Sequence, residues 1–235
     1  MSEERGSGYY LQEAARFLAG FEASGLIWSE ILTERYGGDA SESILGRARE
    51  IFIELLPALP FIGGDENPQT GTFVGSVECL AFYRAMQTVG RTAVEAGRML
   101  YDAVCRLPVP ELPGPVRPDD PERDARMARR RAKAAWSQER RYPQDYVYKF
   151  VEGDGATFDY GYDFFECASE KFYRQQGALE FLPFYCFLDF PKCERVGLGL
   201  RRTTTLGEGG AVCDFRFLEG GRVAQMWPPA FVLPG

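Results

Sequence analysis

The sequence predicts an α+β fold: an N-terminal helical layer followed by a small antiparallel sheet, in the order strand–helix–helix–hairpin. Three observations predict it. Apolar residues recur at helical spacing through most of residues 9–106. From residue 144 the pattern turns to short alternating runs, as in QDYVYKFVE, where Tyr146, Tyr148 and Phe150 share one face. Finally, GEGG separates GLGLRRTTTL from AVCDFRFL, as the turn of a β-hairpin would. The expected organisation is an N-terminal helical segment at 1–60 and an α+β part at 61–235, packed as one compact domain.

YYLQEAARFLAGFEASGLIWSEILTERY and SESILGRAREIFIELLPAL read as helical, with Ser41, Glu42 and Ser43 marking a helix start. FIGGDENPQTG at 61–71 reads as a loop. Gly63 and Gly64 let its backbone turn sharply, and it lacks the GxxxxGK[ST] pattern of a phosphate loop. Asn67 before Pro68 reads as the N-cap of a long helix over about 72–106, which the proline-rich PVPELPGPVRP terminates. The alternative for Asn67 is an amide offered to a ligand by a loop closing over a site.

Asp120-Pro121 reads as an N-cap with proline at N1. It opens a helix to 141 within a stretch, 117–141, of nine basic and five acidic residues. Such a run is a solvated face of mixed charge or a nucleic-acid contact. The net charge of −7 weighs against the second. Beyond the strand at 144–152 and the loop GDGATFDYG, a helix is expected over about 163–176. A second helix, about 178–195, is interrupted by Pro183 and Pro191. The hairpin follows, and RVAQMW adds a third short strand.

Read as a helix, YDFFECASEK lines up Asp163, Glu166, Cys167 and Glu170 at i, i+3, i+4 and i+7. Phe164, Ala168 and Phe172 fill the next sector. The thiol then sits where a polar stripe meets an apolar one, as a cleft lining would. Asp163 and Glu170 are candidate acid–base groups beside it. The bland alternatives are an N-cap for Asp163, solvated glutamates and a cysteine packed as a small hydrophobe.

Composition narrows the chemistry. The chain has no histidine, so Ser–His and Cys–His pairs and His-ligated zinc or iron are excluded within it. Acid–base work falls to Asp, Glu, Cys, Tyr or Lys. Six cysteines occur without a CxxC. The start MSEERGSGYY lacks the basic and apolar regions of a signal peptide, so a cytoplasmic location with free thiols is expected. No run approaches 18 apolar residues. The expected partner is a small-molecule substrate, with no metal, cofactor, nucleic acid or membrane; the oligomeric state is not legible.

In the hairpin, a four-residue GEGG turn pairs Cys213 with Thr204 and Phe215 with Arg202. Arg202 is then a candidate fork for a substrate carboxylate, with Thr204 and Cys213 beside it. A slip of one residue would substitute Arg201. Tyr160 and Tyr162 flank Gly161 and line either a pocket or the core.

FIGGDENP, DYVYKFVEGDG, FDYGYDFFECASEKFYRQQGALEFLPFYCFLDFP, GLGLRRTTTLGEGG and CDFRF together resemble the L-2-amino-thiazoline-4-carboxylic acid hydrolase family over about residues 60–218. Where that family often has a second cysteine, C-x-x-C-K, this chain has Glu170. The resemblance implies hydrolysis of a cyclic isothiourea. Water adds to the carbon between sulfur and nitrogen, and the ring carbon–sulfur bond breaks to give an N-carbamoyl cysteine. On this reading Cys167 is a nucleophile or acid–base thiol, and Asp163 or Glu170 handles the proton. The rivals are a cyclisation or isomerisation on the same fold, and a small-molecule binding module.

Overall fold

The computed structural model describes residues 8–108 and 121–233. In chain order the helices of the first half are α1 (Ala14–Tyr36), α2 (Gly38–Leu55), α3 (Thr70–Thr88) and α4 (Ala93–Arg106). Then come α5 (Pro121–Gln138), β1 (Val147–Glu152), β2 (Tyr160–Glu166), α6 (Ala168–Gln175), α7 (Leu182–Phe187), α8 (Asp189–Arg195), β3 (Leu198–Arg201) and β4 (Cys213–Glu219). The architecture is α+β. The residues group into two compact units: Met1–Leu107 with Ala168–Tyr185, and Pro108–Cys167 with Cys186–Gly235.

The first unit is a helical layer closed by aromatic packing. Phe21 stacks on Phe52 at 5.1 Å and Tyr83 on Phe181 at 4.2 Å. Phe73, Phe82 and Phe172 are fully buried. The long helix expected over 72–106 is two helices. Gly90 takes a left-handed φ of 75°, and Thr92 then starts α4 with a capping box. Its hydroxyl accepts from the Glu95 N–H at 3.2 Å, and the Glu95 carboxylate accepts from the Thr92 N–H at 2.9 Å. Gly97 lies beneath Phe184: a Cβ there would stand 2.4 Å from the ring.

Two expected helix starts also move. Gly37, at φ 86°, precedes α2, while Ser41 is buried inside it and donates to the Ser29 carbonyl at 3.2 Å. Asn67 stands three residues ahead of α3. Its side-chain oxygen accepts from the Gln69 N–H at 2.8 Å, and its amide nitrogen donates to the Ile62 carbonyl. It folds the 61–67 loop back on itself rather than capping the helix. The expected N-cap Asp120 and most of the proline-rich break lie outside the described residues.

The second unit is a four-stranded antiparallel sheet in the order β1-β2-β4-β3. The expected helix over 163–176 is corrected here, because residues 160–166 are a strand. β2 pairs on both sides, with β1 and with β4. Gly161 permits the approach to β4, since a Cβ would lie 2.4 Å from the Phe215 carbonyl oxygen. Helix begins only at Ala168. The expected helix over 178–195 is likewise two short ones, and Pro183 and Pro191 fall in their first turns.

The outer edge of β1 is satisfied by α5. Ser137 Oγ accepts from the Tyr148 N–H at 3.1 Å, and Gln138 donates to the Tyr148 carbonyl at 2.7 Å. The outer edge of β3 receives the Ala224 N–H at 2.8 Å. RVAQMW therefore lies along the sheet edge without forming the expected strand. Among the described residues no helix is long and apolar enough to cross a membrane.

Candidate functional site

Strand alternation gives the sheet two unlike faces. One carries Lys149, Asp163, Asp214 and Arg216. Asp163 accepts from Arg216 at 2.8 Å and lies 3.3 Å from Lys149. Asp214 accepts from the Thr203 and Thr204 N–H groups, both at 2.8 Å. The other face carries Tyr148 and Phe150 from β1, Tyr160, Tyr162 and Phe164 from β2, and Cys213, Phe215 and Phe217 from β4. The rings touch in sequence: Tyr148 on Phe164 at 4.4 Å, Phe164 on Phe215 at 5.5 Å, Tyr160 on Phe217 at 4.9 Å.

One end of this aromatic face is held by α5. The Arg130 guanidinium sits 4.2 Å over the Tyr160 ring and donates to its hydroxyl at 3.0 Å. Burial raises the Tyr160 phenol above its usual range, although Arg130 opposes this.

The opposite end is polar and rich in sulfur. Leu200 pairs with Phe217 and Arg201 with Arg216. The pairing stops at Arg201: residues 202–212 link β3 to β4 through a 3-10 turn at Leu206–Glu208, so the expected four-residue turn with Thr204 opposite Cys213 does not form, although Arg202 still meets Phe215. Arg202 is buried, its side chain 4% exposed. Its guanidinium lies 4.8 Å from the Phe215 ring and 5.2 Å from the Phe190 ring. It donates to Asp189, the first residue of α8, at 2.8 Å and to the Cys186 carbonyl at 2.9 Å.

Three thiols share this neighbourhood. Cys186 interacts electrostatically with Cys167, Cys213, Asp189 and Arg202. Burial pushes the Cys186 thiol well above its ordinary pKa, and Arg202 pulls it back. Cys213 is also raised, chiefly by burial, while the Leu206 N–H at 3.2 Å and Arg202 act to lower it. A nearby fourth thiol, Cys193 on α8, is pushed up to about 12 by burial and then by Asp189. All the cysteines are unbridged. No group of side chains suited to a metal ion occurs among the described residues.

The structure separates several residues that the helical reading had joined. Cys167 follows the last residue of β2 and is half-buried. Asp163 lies on the sheet face opposite the aromatic one, and Glu166 pairs with Arg140. Glu170 opens α6 in the other compact unit, with Arg174 donating to it at 2.9 Å. Asn67 also belongs to that unit. Together on the second unit are Cys167, Tyr160, Arg202, Thr204 and Cys213.

Sequence reasoning missed Arg130, Cys186, Asp189 and Phe190. Arg130 was hidden in an arginine run, where nothing local marks which member faces the sheet. For Asp189 the signal was its place just ahead of Pro191, in a helix first turn, but its partner lies 13 residues on.

A family model described as L-2-amino-thiazoline-4-carboxylic acid hydrolase matches residues 76–217. No curated protein and no solved structure matches the chain.

Proposed function

The chain belongs to the L-2-amino-thiazoline-4-carboxylic acid hydrolase family, and from that premise we propose that it opens a thiazoline-type cyclic isothiourea by adding water. The observation that carries this reading is the group of Cys167, Cys186 and Cys213 around the buried Arg202 and its partner Asp189, at one end of an aromatic face.

Cys167, half-buried at the end of β2 where Cys213 is buried, is the nucleophile. Its thiolate adds to the ring carbon between sulfur and nitrogen. The ring carbon–sulfur bond breaks, and the departing thiolate takes a proton. Water then adds to the same carbon, the bond to Cys167 breaks, and the N-carbamoyl cysteine leaves. One water is gained overall, and the enzyme thiol is restored.

Arg202 gives the group its positive charge, which favours thiolate over thiol. Two of its N–H groups are used by Asp189 and the Cys186 carbonyl; the rest of its five donors serve the substrate carboxylate. The base role assigned to Asp163 or Glu170 from sequence passes to Asp189. Asp163 is tied to Arg216 and Lys149 on the other sheet face, and Glu170 to Arg174.

The test is incubation with L-2-amino-thiazoline-4-carboxylate while following new free thiol, with Cys167→Ala in parallel. Thiol release and a product heavier by one water, both lost in the variant, support the reading. Full turnover by Cys167→Ala overturns the role of that residue. The aromatic face favours one second reading, a cyclisation or isomerisation from which water is excluded. A product of unchanged mass would identify it.

A further inference from the structure

The aromatic face is longer than an amino-thiazoline needs. The thiol end lies at Cys213 and Phe164, which pair with one another. The face then runs along β4 through Phe215 to Phe217, four residues and about 13 Å at strand rise. A five-membered ring carrying an amino group and a carboxylate covers only the first part of that run.

The remainder is not closed core. Phe73, Phe82 and Phe172 of the helical unit are wholly buried. In contrast Phe150, Tyr162, Phe164, Phe215 and Phe217 are half-buried and keep part of their surface, around Tyr148 and Tyr160, which are buried on the same face. Arg131 lies over Phe150 and Arg202 over Phe215, and the surface these rings keep is apolar area that a flat group can cover. The rings also meet edge to face as well as stacked: Tyr162 stands at 71° to Phe217 and at 65° to Phe164. Such an arrangement offers both faces and edges to a further flat group.

We infer that the substrate carries an aryl group on the ring carbon that is attacked, so that it is a 2-aryl-thiazoline-4-carboxylate rather than the 2-amino compound. The inference rests on the hydrolase reading and narrows it: the ring opened is a cyclic thioimidate in place of the isothiourea, by the same addition of water. Its occupant is argued from continuity: the face begins at the thiol group and extends away from it, so the substituent on the attacked carbon is the part of the substrate aimed along it. The chemistry balances as before. Water adds to the ring carbon, the ring carbon–sulfur bond breaks, the sulfur takes a proton, and the product is an N-aroyl cysteine with a free thiol.

The experiment compares thiol release from 2-phenyl-thiazoline-4-carboxylate and from 2-amino-thiazoline-4-carboxylate, in wild type, Phe217→Leu and Phe217→Ala. A kcat/KM at least about tenfold higher for the phenyl compound is expected, with that ratio falling about fivefold in Phe217→Leu. The leucine variant keeps an apolar side chain in place should the alanine variant fail to fold. An amino compound turned over as well as or better than the phenyl one overturns the aryl assignment and leaves the hydrolase reading standing. Thiol from neither compound removes both.

Discussion

Arg202 shows how much one side chain can organise. It sits between two aromatic rings, binds the start of α8 through Asp189, and faces two buried thiols. Removing one partner of a buried ion pair costs about 3–5 kcal/mol. Asp189 is about a third exposed, 35%, which softens that figure. Arg202→Met is therefore expected to lower unfolding stability by on the order of 2 kcal/mol in urea titration. Arg202→Lys should recover only part, because an ammonium neither stacks nor forks. The thiols make a second prediction. Burial raises Cys186 and Cys213, whereas Cys105 is exposed. Iodoacetamide at neutral pH should label Cys105 first and leave Cys213 unlabelled until the protein is unfolded, as peptide mapping would show. Labelling of native Cys213 at the rate of Cys105 would contradict this burial. At this scale the sequence brought Arg202 near Phe215 but did not reveal the course of the link between β3 and β4, where a 3-10 turn replaces the four-residue turn. Arg130 was not legible, because choosing one arginine from a run needs the sheet it packs on.

At the level of elements, residues 160–166 are the instructive case. YGYDFFE carries an alternation of aromatic and small or charged residues that suits a strand. Joined to CASEK, it also fits one face of a helix. The choice went to the strand because it pairs on both sides, which no local pattern reveals. The break between α3 and α4 was missed in the expected single helix, although its signal is local: Thr92 and Glu95 spell a capping box after Gly90. Thr92→Ala is expected to cost about 1 kcal/mol, readable as a lower thermal midpoint, and an unchanged midpoint would show the cap to be dispensable. Gly97→Ala pits two effects against each other. Alanine favours helix by about 1 kcal/mol, but its Cβ would stand 2.4 Å from the Phe184 ring. Overpacking costs about 1–3 kcal/mol, so net destabilisation is expected, relieved in part by Phe184→Leu in the same chain.

For the molecule as a whole, pH should act through Glu78 on α3. Its carboxyl has moved from 4.5 to about 7, chiefly through burial, although Ser24 on α1 donates to it at 3.1 Å. Below about pH 4.5 both folded and unfolded chains hold the proton, and the residue exerts no penalty. As pH rises from there to about 7, the unfolded chain loses its proton while the folded one keeps it, so stability falls. Above 7 the loss is complete, at most about 3 kcal/mol. Glu78→Gln keeps the shape without the charge. It should stabilise the protein at pH 8 and make little difference near pH 4, as denaturant midpoints at the two values would show. Equal effects at both would mean that Glu78 ionises normally. The arginines of α5 belong to this scale too. Arg123, Arg126 and Arg131 meet Asp159, Glu219 and Glu152, so the basic run is largely matched within its own unit.

Sequence by itself determined the class, the helical first half, the antiparallel pairing of the last two strands, and chemistry without histidine. Each of these is written in local period, turn residues or composition. The family resemblance was also readable in short motifs, and it extends over both compact units. Only tertiary structure decided that Asp163, Cys167 and Glu170 do not share a helix face, and that Cys186 and Asp189 join Arg202. The physical reason is the same in both cases. A helix closes its hydrogen bonds within a few residues, so neighbours in sequence announce it. A strand closes them with partners far along the chain, and which side chains then meet depends on pairings that no short stretch contains.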